Sequence, residues 1–218
     1  MRLFIDSADV SAIQECWNTG LIEGITTNPS LIMKSGRHPH DVYNELKLMG
    51  VQDISLEVTG DGVLEMMNQA HELLDLYGIN ITTIKVPMTK DGLAVVRELS
   101  RDDVRTNVTL IFCAAQALLA AKAGATYVSP FVGRLDDQSV AGLEVVRSIV
   151  ELYRIHRIPT RVLAASIRSV QRVVRSLYNG AEIVTMPPEV FWKMYDHVLT
   201  DQGLDIFERD EATRVSLL

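Results

Sequence analysis

Residues 107–129 read NVTLIFCAAQALLAAKAGATYVS and contain one strand, one helix and the next strand. Branched and aromatic residues favour strands at Asn107–Phe112 and Thr126–Ser129, and the longer segment between them has a helical composition. Gly124 stands just before the second strand, where helices commonly end. A strand, a helix and a second strand in this order predict a βαβ unit with parallel strands.

The same alternation extends along the whole chain. Helical stripes recur between the strands, for example Val63, Met67 and Ala70. Dividing 218 residues by eight strands gives roughly 27 residues per unit, near the short end for a (β/α)8 barrel. The sequence therefore predicts an α/β fold, a single TIM-barrel domain over residues 1–218. The predicted strands are Leu3–Ile5, Gly24–Thr27, Ile54–Val58, Ile81–Val86, Asn107–Phe112, Thr126–Ser129, Arg161–Ala165 and Glu182–Thr185.

The chain after the eighth strand is longer than one unit needs. Two helices are predicted there, at about Pro188–Leu199 and Leu204–Thr213. The second has no strand left to cover, so residues 203–218 are predicted to form a C-terminal helical arm. This arm either packs across its own barrel or is donated to a neighbouring subunit, and periodicity leaves both open.

Composition excludes several classes of protein. The net charge of −7 argues against a nucleic-acid binder. Cys16 and Cys113 lie far apart and match no zinc or disulfide spacing, which favours a reducing cytoplasm. The amino terminus has too short an apolar run for a signal peptide, and Leu110–Ala121 is too short to span a bilayer. We therefore expect a cytoplasmic protein without a membrane partner.

Polar residues cluster at the predicted carboxyl ends of the strands, where barrel enzymes carry their chemistry. Lys85 stands out because a lysine on an otherwise apolar parallel strand has little access to water. Desolvation disfavours its ammonium form and frees the amine to attack a carbonyl. The alternative is a buried structural ion pair with Asp6 or Glu57, and Lys85 alone does not decide between them.

Asp6 and Glu57 end the first and third predicted strands. Imine chemistry requires carboxylates that move protons during carbinolamine breakdown and carbon–carbon cleavage. Each acid alone is more often a helix cap or a solvated charge. Lys85, Asp6 and Glu57 together, on three strands and near their ends, favour a Schiff-base enzyme.

Other polar residues at the same end have two interpretations. Asn28 precedes Pro29 and is either part of a turn or a ligand for ketose hydroxyls. Arg134 and Arg168, with Ser166, suit a phosphate dianion, although Arg134 could instead pair with Asp136 or Asp137. The five histidines, including His38 and His40 in a predicted loop, show no metal-binding spacing, so we expect no metal site.

Four motifs in order resemble the transaldolase family, in its small-subunit branch, which also holds the fructose-6-phosphate aldolases. They are Phe4–Asp6, Gly24–Ser30, Ile84–Thr89 and Tyr127–Arg134. The resemblance covers nearly the whole chain. It implies a lysine Schiff base and no cofactor, with sugar phosphates as substrates. It also implies a homo-oligomer, a pentamer or decamer.

The resemblance assigns roles to individual residues. Lys85 would form the Schiff base, Asp6 would take the C4 hydroxyl proton, and Glu57 with Thr109 and a water would relay protons. The substrate-binding residues would be Thr26, Asn28, Asn107, Ser129, Phe131, Arg134, Ser166 and Arg168.

The implied reaction transfers dihydroxyacetone from sedoheptulose 7-phosphate to glyceraldehyde 3-phosphate in the pentose phosphate pathway. In the aldolase branch the positions of Phe131 and Glu57 look like tyrosine and glutamine. Fructose-6-phosphate aldolase on the same scaffold is the close alternative, and the phenylalanine and glutamate at these two positions favour the transaldolase. A sugar-phosphate-binding barrel without turnover is the alternative from another class, but a pure binder needs no buried lysine.

Overall fold

The computed structural model describes residues 1–216 and confirms the predicted barrel. Eight parallel strands pair in sequence order, and β8 pairs with β1 to close the sheet. Every strand end lies within one residue of its predicted position. The strands are β1 Arg2–Asp6, β2 Gly24–Thr26, β3 Ile54–Glu57, β4 Thr82–Pro87, β5 Thr106–Ile111, β6 Tyr127–Pro130, β7 Arg161–Ala164 and β8 Ile183–Met186.

Helices surround the barrel and bury an apolar layer against the outer face of the sheet. Short connections with glycine, such as Gly124 at φ 93° just before β6, return the chain from helix to strand. The helices are α1 Val10–Trp17, α2 Pro29–Ser35, α3 Pro39–Leu48, α4 Val63–Tyr77, α5 Lys90–Arg101, α6 Ala114–Lys122, α7 Val132–Asp137, α8 Gly142–His156, α9 Val170–Tyr178, α10 Pro188–Trp192 and α11 Val198–Ser216.

The interior of the barrel is filled below the carboxyl ends of the strands. Phe4, Tyr127, Leu163 and Ile183 pack together there. Glycine is needed at position 24 because a Cβ atom would lie 2.4 Å from Cζ of the Phe4 ring. Asp6 follows Phe4 by two residues and shares its inward face, so its carboxyl group lies above this packed layer.

A buried polar network closes the amino-terminal end of the barrel. Asp53 is 1% exposed and accepts hydrogen bonds from Thr83 Oγ1 at 2.7 Å and Tyr127 OH at 2.8 Å. Arg2 NH1 lies 3.1 Å from the same carboxylate. The amino-terminal end is therefore occupied by side chains, which leaves the carboxyl end for a substrate.

The C-terminal helices differ from the prediction. α10 ends at Trp192 instead of Leu199, and α11 begins at Val198 instead of Leu204. His197 Nδ1 accepts a hydrogen bond from the Leu199 backbone at 3.2 Å, which fixes the earlier start. Gly203 lies inside α11. A glycine in an exposed helix lowers helix stability by only about 1 kcal/mol, so the helix can continue through it.

Large apolar side chains on α11 remain exposed. Leu204, Ile206 and Phe207 are each more than half exposed in this chain. The last two residues of the predicted arm, 217 and 218, lie outside the described residues. Within residues 1–216, no helix has both the length and the apolar character needed to cross a membrane.

The histidine segment also differs from the prediction of a loop. α3 begins at Pro39, and His38 is its N-cap residue. Proline is favoured in the first turn of a helix, because the N–H groups there make no hydrogen bond within the helix and the missing N–H of proline therefore costs nothing.

Candidate active site

A pocket of about 100 Å³ opens at the carboxyl end of the barrel. Its walls combine residues from strands on both sides of the barrel with the loops that follow them. Ala165 and Thr185 also line it, although neither residue was predicted to lie in the site. Eight of the predicted site residues line it: Asp6, Thr26, Asn28, Lys85, Ser129, Phe131, Arg134 and Ser166.

Lys85 is 4% exposed and lies in this pocket. Its Nζ atom donates a hydrogen bond to the Thr27 carbonyl oxygen at 2.8 Å and lies 2.9 Å from Glu57 Oε2. Glu57 faces Lys85 because the two residues are paired in register across β3 and β4. A carboxylate therefore stands within proton-transfer distance of the lysine amine in the pocket wall.

Asp6 occupies the opposite side of the pocket. Its Oδ1 atom accepts a hydrogen bond from Thr26 Oγ1 at 2.7 Å, and Thr26 Oγ1 is 2.7 Å from Thr185 Oγ1. Desolvation raises the pKa of the Asp6 carboxyl, while Lys85 and the Thr26 hydrogen bond lower it and Glu57 raises it further. The net rise suits a group that takes up and returns a proton.

Asn107 and Ser129 form a fixed pair on β5 and β6. Ser129 Oγ donates to Asn107 Oδ1 at 2.7 Å, and Asn107 Nδ2 lies 3.3 Å from Ser55 Oγ. Asn107 is fully buried behind the pocket wall, so Ser129 is the member of the pair that lines the pocket. Ser55 was not among the predicted site residues, because serine on a strand carries no distinctive signal.

Thr109 lies two residues beyond Asn107 on β5, next to an irregularity between Val108 and Ile111. The Thr109 hydroxyl is buried and has no hydrogen-bond partner among the described residues. A buried polar atom of this kind normally needs a partner, including a water or a ligand. The next residue, Leu110, has φ 61°, an uncommon conformation for a branched side chain.

Asn28 caps a helix and also lines the pocket. Its Oδ1 atom accepts a hydrogen bond from the Leu31 backbone at 3.0 Å and so caps α2. The same side chain lines the pocket. Capping fixes its position and leaves the amide nitrogen free to donate to a ligand.

Arg134, Ser166 and Arg168 form a cluster that we call the phosphate corner, after the group that the sequence predicted them to bind. Gly133 N donates to Ser166 O at 2.9 Å, which joins the first turn of α7 to the loop after β7. The Arg134 guanidinium lies over the Phe131 ring, 4.9 Å from its centroid. Ser166 has φ 57°, so its backbone is held in a left-handed conformation.

The ion pairs at this corner differ from the predicted alternative for Arg134. Asp137 accepts two hydrogen bonds from Arg168, at 2.5 and 2.6 Å, and Asp136 pairs with Arg172 at 3.0 Å. Arg134 and Arg168 share a neighbouring cleft with Asp137. Loop geometry, which sequence spacing does not reveal, decides which arginine pairs with which aspartate.

Four of the predicted site residues do not line the pocket: Glu57, Asn107, Thr109 and Arg168. Glu57 lies immediately behind Lys85, Asn107 and Thr109 are buried, and Arg168 is at the outer rim. Within residues 1–216, no cluster of three His, Cys, Asp or Glu side chains is arranged to hold a metal ion.

The sequence matches the family described as Transaldolase/Fructose-6-phosphate aldolase over residues 3–217. A protein from Paracoccus denitrificans (strain Pd 1222) named "Probable transaldolase" is 46% identical over 212 residues, which is 97% of each chain. A protein of the same name from Ruegeria pomeroyi (strain ATCC 700808 / DSM 15171 / DSS-3) is 46% identical over 219 residues and covers 100% of both chains. A third, from Chelativorans sp. (strain BNC1), is 47% identical over 212 residues. The chain therefore belongs to the transaldolase/fructose-6-phosphate aldolase family.

Proposed function

We propose that this chain is a transaldolase that works through a Schiff base on Lys85. It would transfer a dihydroxyacetone unit from sedoheptulose 7-phosphate to glyceraldehyde 3-phosphate, giving erythrose 4-phosphate and fructose 6-phosphate. The observation that carries the proposal is the setting of Lys85: 4% exposed, 2.9 Å from Glu57 and facing the pocket that Asp6 lines.

Imine formation would begin with transfer of a proton from the Lys85 ammonium to Glu57. The free amine then attacks C2 of the ketose and forms a carbinolamine. Glu57 returns the proton to the C2 hydroxyl, which leaves as water while the nitrogen lone pair forms the C=N bond. The unpartnered Thr109 hydroxyl, with Glu57, would hold that water.

Carbon–carbon cleavage would use Asp6. Its carboxylate takes the proton of the C4 hydroxyl, the C3–C4 bond breaks, and the electron pair moves toward the iminium nitrogen to give an enamine. The aldehyde product then leaves. The net raised pKa of Asp6 makes it a stronger base than an ordinary aspartate, and protonated Asp6 then stands ready to assist the reverse addition.

The remaining residues would orient the substrate. Asn28, Ser129 and Thr26 present polar groups to the hydroxyls of the ketose, and Asn107 holds Ser129 in place. The phosphate corner would hold the terminal phosphate through charge-assisted hydrogen bonds. In this arrangement the carbonyl group of the substrate would lie at Lys85 and its phosphate at the mouth of the pocket.

Phe131 favours transfer over release of free dihydroxyacetone. Its ring lines the pocket and packs edge-on against Phe112, with 5.9 Å between centroids. Phenylalanine cannot donate a proton to the enamine, so the intermediate should persist until an aldehyde arrives. A fructose-6-phosphate aldolase would instead need an efficient proton donor beside the imine.

The proposal is tested by separating transfer from release. The protein is incubated with sedoheptulose 7-phosphate and glyceraldehyde 3-phosphate, and the formation of erythrose 4-phosphate and fructose 6-phosphate is followed. A parallel reaction with fructose 6-phosphate alone measures free dihydroxyacetone. We expect fast transfer and little release. Release at a rate equal to transfer would identify an aldolase, and neither reaction would indicate a binding protein.

The cellular setting and assembly belong to the same proposal. We infer a cytoplasmic, single-domain protein of the pentose phosphate pathway that forms a homo-oligomer, a pentamer or decamer. Exposed Leu204, Ile206 and Phe207 on α11 support association of subunits, because apolar side chains on one arm gain stability when they are covered. A monomer in light scattering at working concentration would contradict this inference.

A further inference from the structure

Glu57 lines a second cavity, separate from the substrate pocket. We call this cavity the Glu57 cleft. It has a volume of about 520 Å³, and its wall includes Met33, His40, Tyr43, Glu57, Gln69 and Glu72 from α2, α3, α4 and the end of β3. Lys85 lines the substrate pocket, whereas Glu57 lines this cleft. The ion pair between them, 2.9 Å long, therefore spans the partition between the two cavities.

The Glu57 cleft reaches from the protein surface to the catalytic carboxylate. At its outer rim, Met33 is 74% exposed and the Glu72 side chain is 63% exposed. At its inner end, Tyr43 is 7% exposed and the Glu57 side chain is 12% exposed. This decrease in side-chain exposure from the rim to the base indicates a passage that ends at Glu57, the acid that would protonate the leaving hydroxyl.

The side chains that line the passage include polar groups that can form hydrogen bonds with water. Gln69 Oε1 accepts a hydrogen bond from the Thr59 backbone at 2.9 Å, and His40 Nδ1 is 2.6 Å from Tyr77 OH. Burial raises the pKa of the Tyr43 phenol, a contact with Thr27 lowers it, and the nearby Glu57 carboxylate raises it again. Tyr43 therefore remains a neutral hydroxyl in the wall of the Glu57 cleft, able to donate to a water.

The proposed reaction must move a water molecule while the substrate fills the pocket. The C2–O bond of the carbinolamine breaks, the oxygen takes a proton from Glu57, and one water is produced for each imine formed. The same water, or another, is consumed when the imine is hydrolysed. In the proposed reaction a bound ketose phosphate would occupy the pocket between Lys85 and the phosphate corner, so it would block the route through the mouth.

We propose that the Glu57 cleft is a water port, through which the water released in imine formation leaves and the water for hydrolysis enters. The inference rests on the proposed Schiff-base function. It places Glu57 between the substrate in the pocket on one side and exchangeable water in the cleft on the other. The port lets the substrate stay bound while its carbonyl oxygen exchanges with bulk water.

The test uses fructose 6-phosphate labelled with oxygen-18 at C2, in the absence of an acceptor aldehyde. Each cycle of imine formation and hydrolysis loses the label only if the released water escapes before it returns. Loss of label is measured by mass spectrometry after borohydride reduction fixes the C2 oxygen. The rate of imine formation is measured separately, from trapping of the substrate on the protein by borohydride.

Three variants separate the port from other effects. Met33→Trp should obstruct the rim of the Glu57 cleft, and Met33→Ala should leave it open. Leu64→Trp places the same bulky ring on α4 at a position that is 76% exposed and outside the cleft wall. We expect Met33→Trp to slow label loss several-fold with unchanged trapping, while the other two variants lose label at least as fast as the unmodified protein.

Two results would overturn the water port. Unchanged label loss in Met33→Trp would mean that water leaves through the substrate mouth. A parallel fall in trapping and label loss would mean that position 33 affects imine formation itself. Failure of borohydride to trap any substrate on the unmodified protein would instead refute the proposed function, and the inference with it.

Discussion

Replacing Gly133 by alanine should disable the phosphate corner while leaving the barrel folded. A Cβ atom at this position would lie 2.3 Å from Ser166 O and 2.9 Å from Arg168 Nε. Ordinary van der Waals contact begins at roughly 3.5 Å, so the Ser166 carbonyl would have to move by about 1 Å. That movement would break the hydrogen bond that Gly133 N donates to Ser166 O at 2.9 Å. It would also displace the arginine expected to hold the phosphate.

The size of the effect follows from these contacts. Overpacking costs about 1–3 kcal/mol of folding stability, which is less than the roughly 5–15 kcal/mol of an ordinary domain. Loss of one charge-assisted contact weakens phosphate binding by on the order of 1.5–3 kcal/mol. This corresponds to a rise of roughly 10- to 150-fold in KM for a phosphorylated substrate.

The assay compares KM for fructose 6-phosphate with KM for fructose, which has no phosphate to hold. Gly203→Ala is the matched control, because a Cβ atom there would meet nothing within 4 Å. We expect Gly133→Ala to raise KM for fructose 6-phosphate alone and Gly203→Ala to change neither. An unchanged KM for fructose 6-phosphate in folded Gly133→Ala would refute the reasoning.

Three further predictions test separate parts of the site. Arg134→Ala should raise KM strongly for phosphorylated ketoses and little for fructose, and equal losses for both in steady-state kinetics would mean that the arginine is structural. Phe131→Tyr should increase dihydroxyacetone release from fructose 6-phosphate relative to transfer, because a phenol can protonate the enamine; an unchanged ratio of the two rates would count against this role. Asp6→Asn should abolish turnover and alter the pH dependence of thermal unfolding. Because the folded-state pKa of Asp6 is raised, the native protein binds more protons than the unfolded chain between the two pKa values, so stability falls as pH rises through that window. The asparagine variant should lack this fall, and identical pH profiles for the two proteins would show that Asp6 is not desolvated.

The barrel could be predicted from the sequence because short runs rich in branched residues alternate with amphipathic helical segments along the chain. The C-terminal region was harder, since its boundaries depend on weak local signals. A Gly at position 203 indicated a break, yet the helix continues through it from Val198. The actual start depends on a hydrogen bond from the Leu199 backbone to the His197 ring, which spacing alone does not indicate.

The candidate site was predictable to the level of residue type and strand end. The sequence did not predict whether Asp6 or Glu57 pairs with Lys85, because this choice depends on strand register. Thr185 was missed because a threonine on a strand is ordinarily a strand former.

The most direct test of the account is to trap the proposed imine. The protein is treated with borohydride in the presence of fructose 6-phosphate, digested, and mapped by mass spectrometry, beside Lys85→Met and the surface control Lys90→Ala. The account predicts a reduced three-carbon adduct on Lys85 in the unmodified protein and in Lys90→Ala, with neither adduct nor turnover in folded Lys85→Met. An adduct on another residue, or undiminished turnover in Lys85→Met, would contradict it.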